Sequence, residues 1–232
     1  MFDFTSGRSR EGPKRFLSDY RGVLQADAYS GYDHLYVDGR IVEAGCMAHA
    51  RRGFVEAEAE DKVNAGHAIA AIRRLYAIER EAKDLGLDAD ARRELRQRES
   101  LPVLHALQAW LAELRKTTRP KSLLGKAVGY FLNQWDALRY FTGDGRVAID
   151  NNRAERQMRC VAIGRKNWLF AGSEEGGHRA AAIYSLVCTC SLIGIEPWAY
   201  LKDVLQKIAE GVDPATLTPR LWKAARATAE AR

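Results

Sequence analysis

Segment 150–159 of this 232-residue chain, DNNRAERQMR, places one glutamate among several arginines. If the segment is helical, Arg156 and Arg159 lie on one face and Arg153 begins the same turn, so positive charge gathers around Glu155. A carboxylate near a helix start and among arginines stays ionised, as a ligand of a divalent metal ion must be. The arginines themselves suit the phosphates of a nucleic acid backbone.

A purely structural role accounts for part of the same segment. Asn152 is a good N-cap, and Glu155 follows it three residues later, which is the spacing of a capping box. Such a box satisfies the free backbone amides at a helix start and performs no chemistry. The residues alone leave both interpretations open.

Asp27 is a second candidate carboxylate. It ends a short apolar strand predicted over 23–27, and the turn YSGY follows at 29–32. An acid at a strand end is often only a turn former. However, two-metal phosphoryl transfer uses carboxylates from strand ends and a helix to hold two Mg²⁺ ions about 3.5–4 Å apart. Asp27 and Glu155 therefore form a candidate catalytic pair.

The charge of the chain is positive and unevenly distributed. There are 36 Lys and Arg residues against 30 Asp and Glu residues, which gives a net charge of +6. Asp150 and Glu155 are the acids between positions 146 and 168, where the basic residues are Arg146, Arg153, Arg156, Arg159, Arg165 and Lys166. This distribution favours a polyanionic partner such as DNA. No helix-turn-helix or zinc-finger pattern is visible that would read a base sequence.

The pattern of elements indicates an α/β protein that is predominantly helical. Strands are predicted near 2–4, over 23–27 and over 40–45, with a short helix over 12–20. From about 48 to 141 the leucines recur at helical spacing, which predicts an insert of three or four helices whose leucine stripes form a core. Further helices are predicted from about 150, over 178–193 and over 197–210.

Composition excludes several classes of protein. The longest apolar stretch, about 180–195, contains polar residues and is shorter than the ~20 residues that a membrane span needs. The N-terminus has no apolar region behind its positive charges, and four cysteines are too few for a disulfide scaffold. We therefore expect a soluble, reduced, cytoplasmic protein.

The cysteines admit two interpretations. Cys46 and His49, with Cys188 and Cys190, are residue types that bind zinc. Cys188 and Cys190 lie two positions apart in an apolar helical stretch and so do not share a helix face. Buried structural thiols explain them better than a zinc site does.

Several motifs occur in a fixed order along the chain. They are LQADAYSGY at 24–32, CMAHARR at 46–52, DNNRAERQMR at 150–159, GRKNWLF at 164–170, GG at 176–177 and PWAYLKDVL at 197–205. This ordered set, which spans nearly the whole chain, resembles the transposases of the insertion-sequence-66 family.

The resemblance implies a ribonuclease-H-like core that is interrupted by an all-helical insertion. It implies that Asp27 is the second and Glu155 the third acid of a DDE site, and that both bind Mg²⁺ or Mn²⁺. Cys46 and His49 match a Cys-x-x-His signature and are expected near the site, as is Asn152. The residues expected to face the DNA backbone are Arg153, Arg156, Arg159, Arg165 and Lys166.

The resemblance also implies a division of the chain. Residues 1–52 correspond to the N-terminal half of the core, 53–142 to the helical insertion, 143–194 to the C-terminal half of the core and 195–232 to a helical C-terminal element. In the family the first catalytic aspartate lies on a strand before the one that residues 1–4 resemble. We therefore expect an N-terminally truncated transposase that is weakly active or inactive alone.

The expected activity is cleavage and joining of DNA, with transposon ends and target DNA as partners. Accessory proteins of the same element and a homo-oligomeric active form are further expectations. The alternatives are a non-catalytic DNA-binding or inhibitory remnant and a helical interaction module. Dependence on Mg²⁺ separates the enzyme from the remnant, and steep dependence on salt separates DNA binding from a helical module.

Overall fold

The computed structural model describes residues 1–7, 9–168 and 170–230. This part of the chain is predominantly helical, as expected, and its β-structure is one two-stranded sheet. In the described ranges, no helix combines the length and apolar character needed to cross a membrane.

The elements follow one another in this order: α1 Glu11–Phe16, β1 Gly22–Gln25, β2 Ile41–Ala44, α2 Met47–Ala57, α3 Lys62–Asp84, α4 Ala89–Leu95, α5 Leu101–Thr117, α6 Leu123–Asn133, α7 Trp135–Arg139, α8 Asn152–Trp168, α9 Glu174–Leu192, α10 Pro197–Ala209 and α11 Pro219–Glu230. Short 3₁₀ turns lie at Ser30–Leu35, Tyr140–Thr142 and Pro214–Leu217, and a π-helical turn lies at Arg96–Ser100. Contacts divide the chain into two compact units: Pro13–Glu155, and Met1–Gly12 with Arg156–Arg232.

The sheet of the unit Pro13–Glu155 pairs β1 and β2 in parallel. Gly22 aligns with Ile41, and Gln25 aligns with Ala44. Parallel strands need a crossover connection, which here is the segment that contains the 3₁₀ turn Ser30–Leu35. The strands predicted over 23–27 and 40–45 are confirmed; β1 begins one residue earlier and ends two residues earlier than predicted, and β2 is one residue shorter at each end.

A helical layer packs beside this sheet. Helices α2, α3, α5 and α6 enclose one apolar core whose members include Phe54, Ile72, Leu104, Leu111 and Phe131. The leucine stripe that predicted a core is therefore buried. The stretch from about 48 to 141, for which three or four helices were predicted, contains six, α2 to α7.

A short helix accounts for part of the difference in helix number. Asp88 caps α4 by accepting a hydrogen bond from the backbone amide of Ala91 at 2.9 Å. The π-helical turn Arg96–Ser100 then joins α4 to α5 without a break in the helical backbone. Because both features depend on local hydrogen bonds and not on apolar periodicity, the leucine spacing does not reveal them.

Arg96 is a fully buried arginine that fixes the chain ahead of α8. Its guanidinium binds the Glu79 carboxylate with both Nε and Nη2, at 2.7 and 2.6 Å. Nη1 donates to the carbonyl oxygens of Phe141, Asp144 and Val147 at 2.8–3.0 Å. One side chain thereby closes the loop that leads from the helical layer to α8.

The other unit has a smaller core and a structured N-terminal segment. Cys190, Tyr200, Val204, Leu217 and Trp222 are among the buried residues that helices α9 to α11 and the turn between α10 and α11 contribute. The N-terminal residues Met1–Gly12 belong to this unit as well.

The strand end predicted near Phe2 and Phe4 is wrong, since described residues 1–7 form no strand. The Phe4 ring packs edge-on against His178 at 5.4 Å. The Phe2 amide donates to Ser185 Oγ at 2.7 Å. Phe2 and Phe4 therefore contact helix α9 and not a neighbouring strand. The alternating aromatic residues of this segment pack against a helix.

Candidate functional site

Asp27 lies where the chain leaves β1. The Ala26 amide still donates to the Ala44 carbonyl at 3.0 Å, so pairing with β2 continues up to the residue before Asp27. Ala28 then has a φ of +64°, and no other non-glycine residue in the described part of the chain has a positive φ. This left-handed residue turns the backbone sharply. The Asp27 carboxylate, 47% exposed, is therefore presented at the end of the sheet.

His49 comes from the first turn of α2, which the segment preceding α8 holds in place. The Met47 amide donates to the Ile149 carbonyl at 3.1 Å. The His49 side chain is mostly buried, with 17% exposed. Its Nδ1 atom is buried and has no hydrogen-bond partner among the described residues.

Glu155 lies in the first turn of α8. Asp150, just before this helix, accepts hydrogen bonds from the Asn152 amide at 3.1 Å and from Asn152 Nδ2 at 2.8 Å. Asp150 Oδ2 also accepts from the Tyr76 hydroxyl at 2.7 Å. The capping box with Asn152 as N-cap is thus wrong, because the helix begins at Asn152 and the Asn152 side chain binds Asp150.

The two candidate acids converge on one imidazole. His49 Nε2 lies 3.8 Å from Asp27 Oδ2 and 3.5 Å from Glu155 Oε1. Both distances exceed those of good hydrogen bonds. Since the two carboxylates are partly exposed, they form an acidic site that is open to solvent and that has an imidazole at its base.

Gln25 connects the three parts of the chain that carry these side chains. Its Nε2 atom donates to the Gly45 carbonyl at 3.1 Å and to the Ala148 carbonyl at 2.7 Å. It therefore links β1 to the start of α2 and to the loop before α8. Neither Gln25 nor Tyr76 was a candidate site residue from the sequence. Gln25 could have been identified by its position, because it lies in the strand that ends at a candidate acid.

Cys46 precedes α2 and is completely buried. Burial raises the pKa of its thiol, and the negative charge of Asp150 adds to this effect, while the Asn151 amide opposes it. At neutral pH the residue is therefore a protonated, inaccessible thiol. Its environment is that of a packing residue beside the acids.

A groove of about 290 Å³ adjoins the acidic site, and His49 belongs to both. Its walls come from α2 and α6 and include Arg52, Gly53, Lys126 and Tyr130. The Tyr130 hydroxyl donates to the Asp27 carbonyl at 3.4 Å. Burial raises the pKa of Tyr130 to about 12, so the phenol stays neutral. Arg52 and Lys126, which the sequence analysis did not propose, add positive charge next to the acids.

The basic residues predicted to bind DNA are all exposed on α8. Arg153 belongs to the same unit as the acids, and Arg156, Arg159, Arg165 and Lys166 belong to the other unit. Arg156 and Arg159 share a helix face through their spacing of three. Leu169 of the GRKNWLF motif lies outside the described residues.

The donor chemistry fits a divalent ion in part. Carboxylate oxygens are the ligands that Mg²⁺ prefers, and Asp27 and Glu155 supply two carboxylates. Within the described ranges, no group of three or more His, Cys, Asp or Glu side chains is arranged to hold a metal ion. A divalent ion held by these two carboxylates would need further oxygen ligands from water, from the substrate or from other parts of the protein.

The chain matches two family models. The model described as "Transposase IS66 family" matches residues 1–179, and the model described as "IS66 C-terminal element" matches residues 185–218. Uncharacterized protein y4hP of Sinorhizobium fredii is 38% identical over 244 residues, which cover 96% of this chain and 44% of y4hP. Uncharacterized protein y4jD of the same organism is 36% identical, over 95% of this chain and 45% of y4jD. The chain thus spans less than half the length of these relatives. No solved structure matches it.

Proposed function

This chain belongs to the IS66 transposase family, and we propose that it supplies two catalytic acids for the cleavage and joining of DNA. The observation that carries the proposal is the convergence of Asp27 and Glu155 on His49, at 3.8 and 3.5 Å. The two acids are far apart in sequence and come from different elements. A merely solvated pair of acids would not be expected to meet at one side chain.

Asp27 and Glu155 would hold Mg²⁺ or Mn²⁺. The bound ion supplies Lewis-acid chemistry to the attacking and leaving oxygens of a phosphodiester. Glu155 is fixed by the first turn of α8, and Asp27 is fixed by the turn at Ala28. His49 is a positioning residue in this proposal, because its Nε2 atom keeps both carboxylates oriented toward one point.

The fold proposed for the family core is ribonuclease-H-like. Its support here is a parallel strand pair with an acid at the end of β1 and a second acid on a helix that follows a long helical segment. In this proposal 1–52 and 143–194 form the two halves of the core, 53–142 is the insertion and 195–232 is a C-terminal element. We propose that the active form is a homo-oligomer that acts with accessory proteins of the same element.

DNA binding is proposed for two basic surfaces. One is the exposed side of α8, which carries Arg153, Arg156, Arg159, Arg165 and Lys166. The other is the groove with Arg52 and Lys126. Phosphate contacts are made most often by arginine and lysine, and they position a duplex without reading its sequence.

The test is cleavage of a labelled duplex that carries the ends of the DNA element encoding the chain. The purified chain is assayed with Mg²⁺, with Mn²⁺ and with a chelator. Asp27→Asn and Glu155→Gln each remove one negative charge at nearly constant size. Glu58→Gln, an exposed position at the far end of α2, is the matched control.

If the proposal holds, a metal-dependent product forms, Asp27→Asn and Glu155→Gln abolish it, and Glu58→Gln does not. DNA binding without any metal-dependent product would instead support a second candidate, a non-catalytic DNA-binding remnant. This candidate is favoured by the exposed basic residues of α8, which suit phosphate contacts and need no metal ion to make them.

A further inference from the structure

Two thiols of the unit that contains α8 and α9 face each other. Cys160 Sγ on α8 lies 3.3 Å from Cys188 Sγ on α9. Both residues are free cysteines; Cys160 is exposed, whereas Cys188 is buried. Neither residue belongs to the acidic site.

We propose that Cys160 and Cys188 form a thiol-oxidation site, which closes a reversible disulfide between α8 and α9 when the protein meets a small disulfide such as oxidised glutathione. The bond length of a disulfide is about 2.05 Å. The two sulfur atoms therefore need to approach by roughly 1 Å, which side-chain rotation and a small helix shift can supply.

The exposure of the two thiols sets the order of the reaction. Oxidised glutathione reaches Cys160, whose thiolate attacks one of its sulfur atoms; a mixed disulfide forms and one glutathione leaves as a thiol. Cys188 then loses its proton and attacks Cys160 Sγ, which releases the second glutathione. In total, two protein thiols become one disulfide, and one oxidised glutathione becomes two reduced ones.

The hydrogen bonds around the pair agree with these roles. Cys160 Sγ donates to the Gln157 carbonyl at 2.8 Å, so the Cys188 thiol is the donor in the contact between the two sulfur atoms. Burial, together with this hydrogen bond, raises the pKa of Cys188 to about 11. Cys188 therefore remains protonated at neutral pH until the mixed disulfide forms.

Charge around Cys160 favours the oxidant that we name. Arg156 lies one helical turn before Cys160, and Arg159 is its neighbour in sequence. Glutathione disulfide is an anion, and a basic surface raises the local concentration of anions. The same side chains would thus draw the oxidant to the exposed thiol.

The remaining cysteines are poorly placed to compete. Cys46 and Cys190 are both completely buried. Cys190 is two residues beyond Cys188 on the same helix, so its side chain points to a different face. There it packs with Ile195 and Tyr200. We therefore expect oxidation to link Cys160 to Cys188 and to leave the other two thiols reduced.

The experiment treats the reduced full chain with increasing ratios of oxidised to reduced glutathione. Free thiols are then blocked with N-ethylmaleimide, and the blocked protein is digested and analysed by mass spectrometry. The expected result is the loss of two of the four thiols and a peptide pair linked through Cys160 and Cys188. Reduction restores all four thiols. The linked protein should also unfold several degrees higher than the reduced protein, because the cross-link restricts the unfolded chain.

Matched variants test the assignment. Cys160→Ser should prevent the intramolecular link, whereas Cys190→Ala, in the same helix as Cys188, should leave it unchanged. Oxidation of the urea-unfolded chain shows which links form without the folded geometry. The proposal is overturned if the folded chain keeps four thiols, stops at glutathione on Cys160, or gives the same mixture of links as the unfolded chain.

Discussion

Asp27 is held at the end of β1 by its immediate neighbours. The Tyr130 hydroxyl binds its carbonyl oxygen, and Ala28 adopts a left-handed backbone conformation. This conformation costs a residue with a Cβ about 1–2 kcal/mol. Strain of this kind persists only where the surrounding structure imposes it, and it is concentrated at functional sites. The turn thus gives up stability to fix the direction of one carboxylate.

Replacement of Ala28 by glycine should therefore stabilise the protein. We expect Ala28→Gly to raise the free energy of unfolding by roughly 0.5 kcal/mol, since relief of the strain exceeds the added backbone entropy of glycine. Urea denaturation measures the change. Ala148→Gly, at an exposed loop residue without positive φ, is the control and should lower the free energy by about 0.5–1 kcal/mol. Equal losses in both variants would contradict the strain at Ala28.

His49 makes a separate prediction about metal use. His49→Ala should lower metal-dependent cleavage by about 10-fold or more, because both carboxylates lose the group that orients them. The Mg²⁺ concentration for half-maximal cleavage should rise, whereas a simple folding defect would reduce the amount of active enzyme without this shift.

DNA affinity should be unchanged in His49→Ala. His67→Ala is the control, since His67 is an exposed residue of α3 that stacks on Trp110 at 4.3 Å. An unaltered Mg²⁺ requirement in His49→Ala would remove His49 from the positioning role.

Among the elements, the loop between α7 and α8 depends most on a single side chain. Arg96 binds three of its carbonyl oxygens and the Glu79 carboxylate from a fully buried position. A charge in this environment is tolerable only while all of its partners are present. Because the loop leads directly to Asp150 and α8, the position of Glu155 depends on an arginine in a different part of the chain.

Arg96→Met should destabilise the protein by about 3–5 kcal/mol, because it leaves the Glu79 carboxylate and three carbonyls without their donor. Arg98→Met is the control in the same π-helical turn. Arg98 is exposed and makes one weak ion pair at 3.4 Å, so its loss should cost less than about 1 kcal/mol. Equilibrium unfolding in urea measures both. The double variant Glu79→Leu/Arg96→Met should be less destabilised than Arg96→Met alone, and a greater loss would contradict this account.

The same loop carries a pH-dependent contribution to stability. Hydrogen bonds from the Arg146 side chain and amide hold the pKa of Asp144 at about 2, below its ordinary value near 3.9. A lowered pKa in the folded state adds stability above the unfolded pKa, and the addition disappears as pH falls from about 4 to about 2.

The stability difference between the wild type and Asp144→Asn should therefore be constant above pH 5 and approach zero near pH 2. It should stay below about 1 kcal/mol, because Arg146 is well exposed and solvent screens the pair. Unfolding measured at a series of pH values tests this. In an Arg146→Ala background the pH-dependent part should shrink, because the side-chain donor is lost while the amide of residue 146 still binds Asp144. An undiminished pH dependence there would point to another partner of Asp144.

For the whole molecule, local sequence patterns predicted the helices and strands better than they predicted the contacts between them. Short apolar runs next to turn signals predicted β1 and β2, and leucine spacing predicted the buried face of α5. Asp27 and Glu155 were candidates from their settings alone. The resemblance to the family implied that Asp27, Glu155 and His49 lie near one site. The residues alone did not predict that both acids meet His49, because this depends on hydrogen bonds such as those of Gln25, which join segments distant in sequence.

The wrong predictions have identifiable causes. Phe2 and Phe4 alternate like strand residues, yet they pack on α9. The alternation does not distinguish packing against a helix from packing in a sheet. Asn152 has the type and spacing of an N-cap, but the helix begins one residue earlier than that assignment needs, and the Asn151 carbonyl accepts from the Ala154 and Glu155 amides. Arginines are almost never fully buried without a partner, so nothing in the sequence marked Arg96 as a core residue.

The basic surfaces predict how DNA affinity responds to salt. Neutralising the exposed basic residues of α8 should make DNA affinity less sensitive to salt. The slope of log affinity against log salt concentration should become less steep by about 0.9 for each phosphate contact that is lost on duplex DNA. The substituted set is Arg153, Arg156, Arg159, Arg165 and Lys166, each changed to glutamine. Fluorescence anisotropy at several salt concentrations measures the slope.

A variant of equal charge loss is the control for the salt experiment. It changes exposed basic residues of α3, α4 and α5 to glutamine: Arg73, Lys83, Arg93, Arg115 and Lys116. Here the slope should change little. Equal effects of the two sets would mean that overall charge, and not the α8 surface, governs binding.

The hydrogen bond from Tyr76 to Asp150 limits how far the helical segment 53–142 can be shortened. Three side chains of this segment support the chain around the acids: Tyr76 on α3 binds Asp150, Arg96 in the π-helical turn binds the loop that leads to α8, and Tyr130 on α6 binds the Asp27 carbonyl. An engineered version with a short linker in place of this segment would lose all three supports at once. An active shortened version of the protein would therefore have to keep α3, the π-helical turn and α6. The contacts of the acidic site thus determine how short this segment can become.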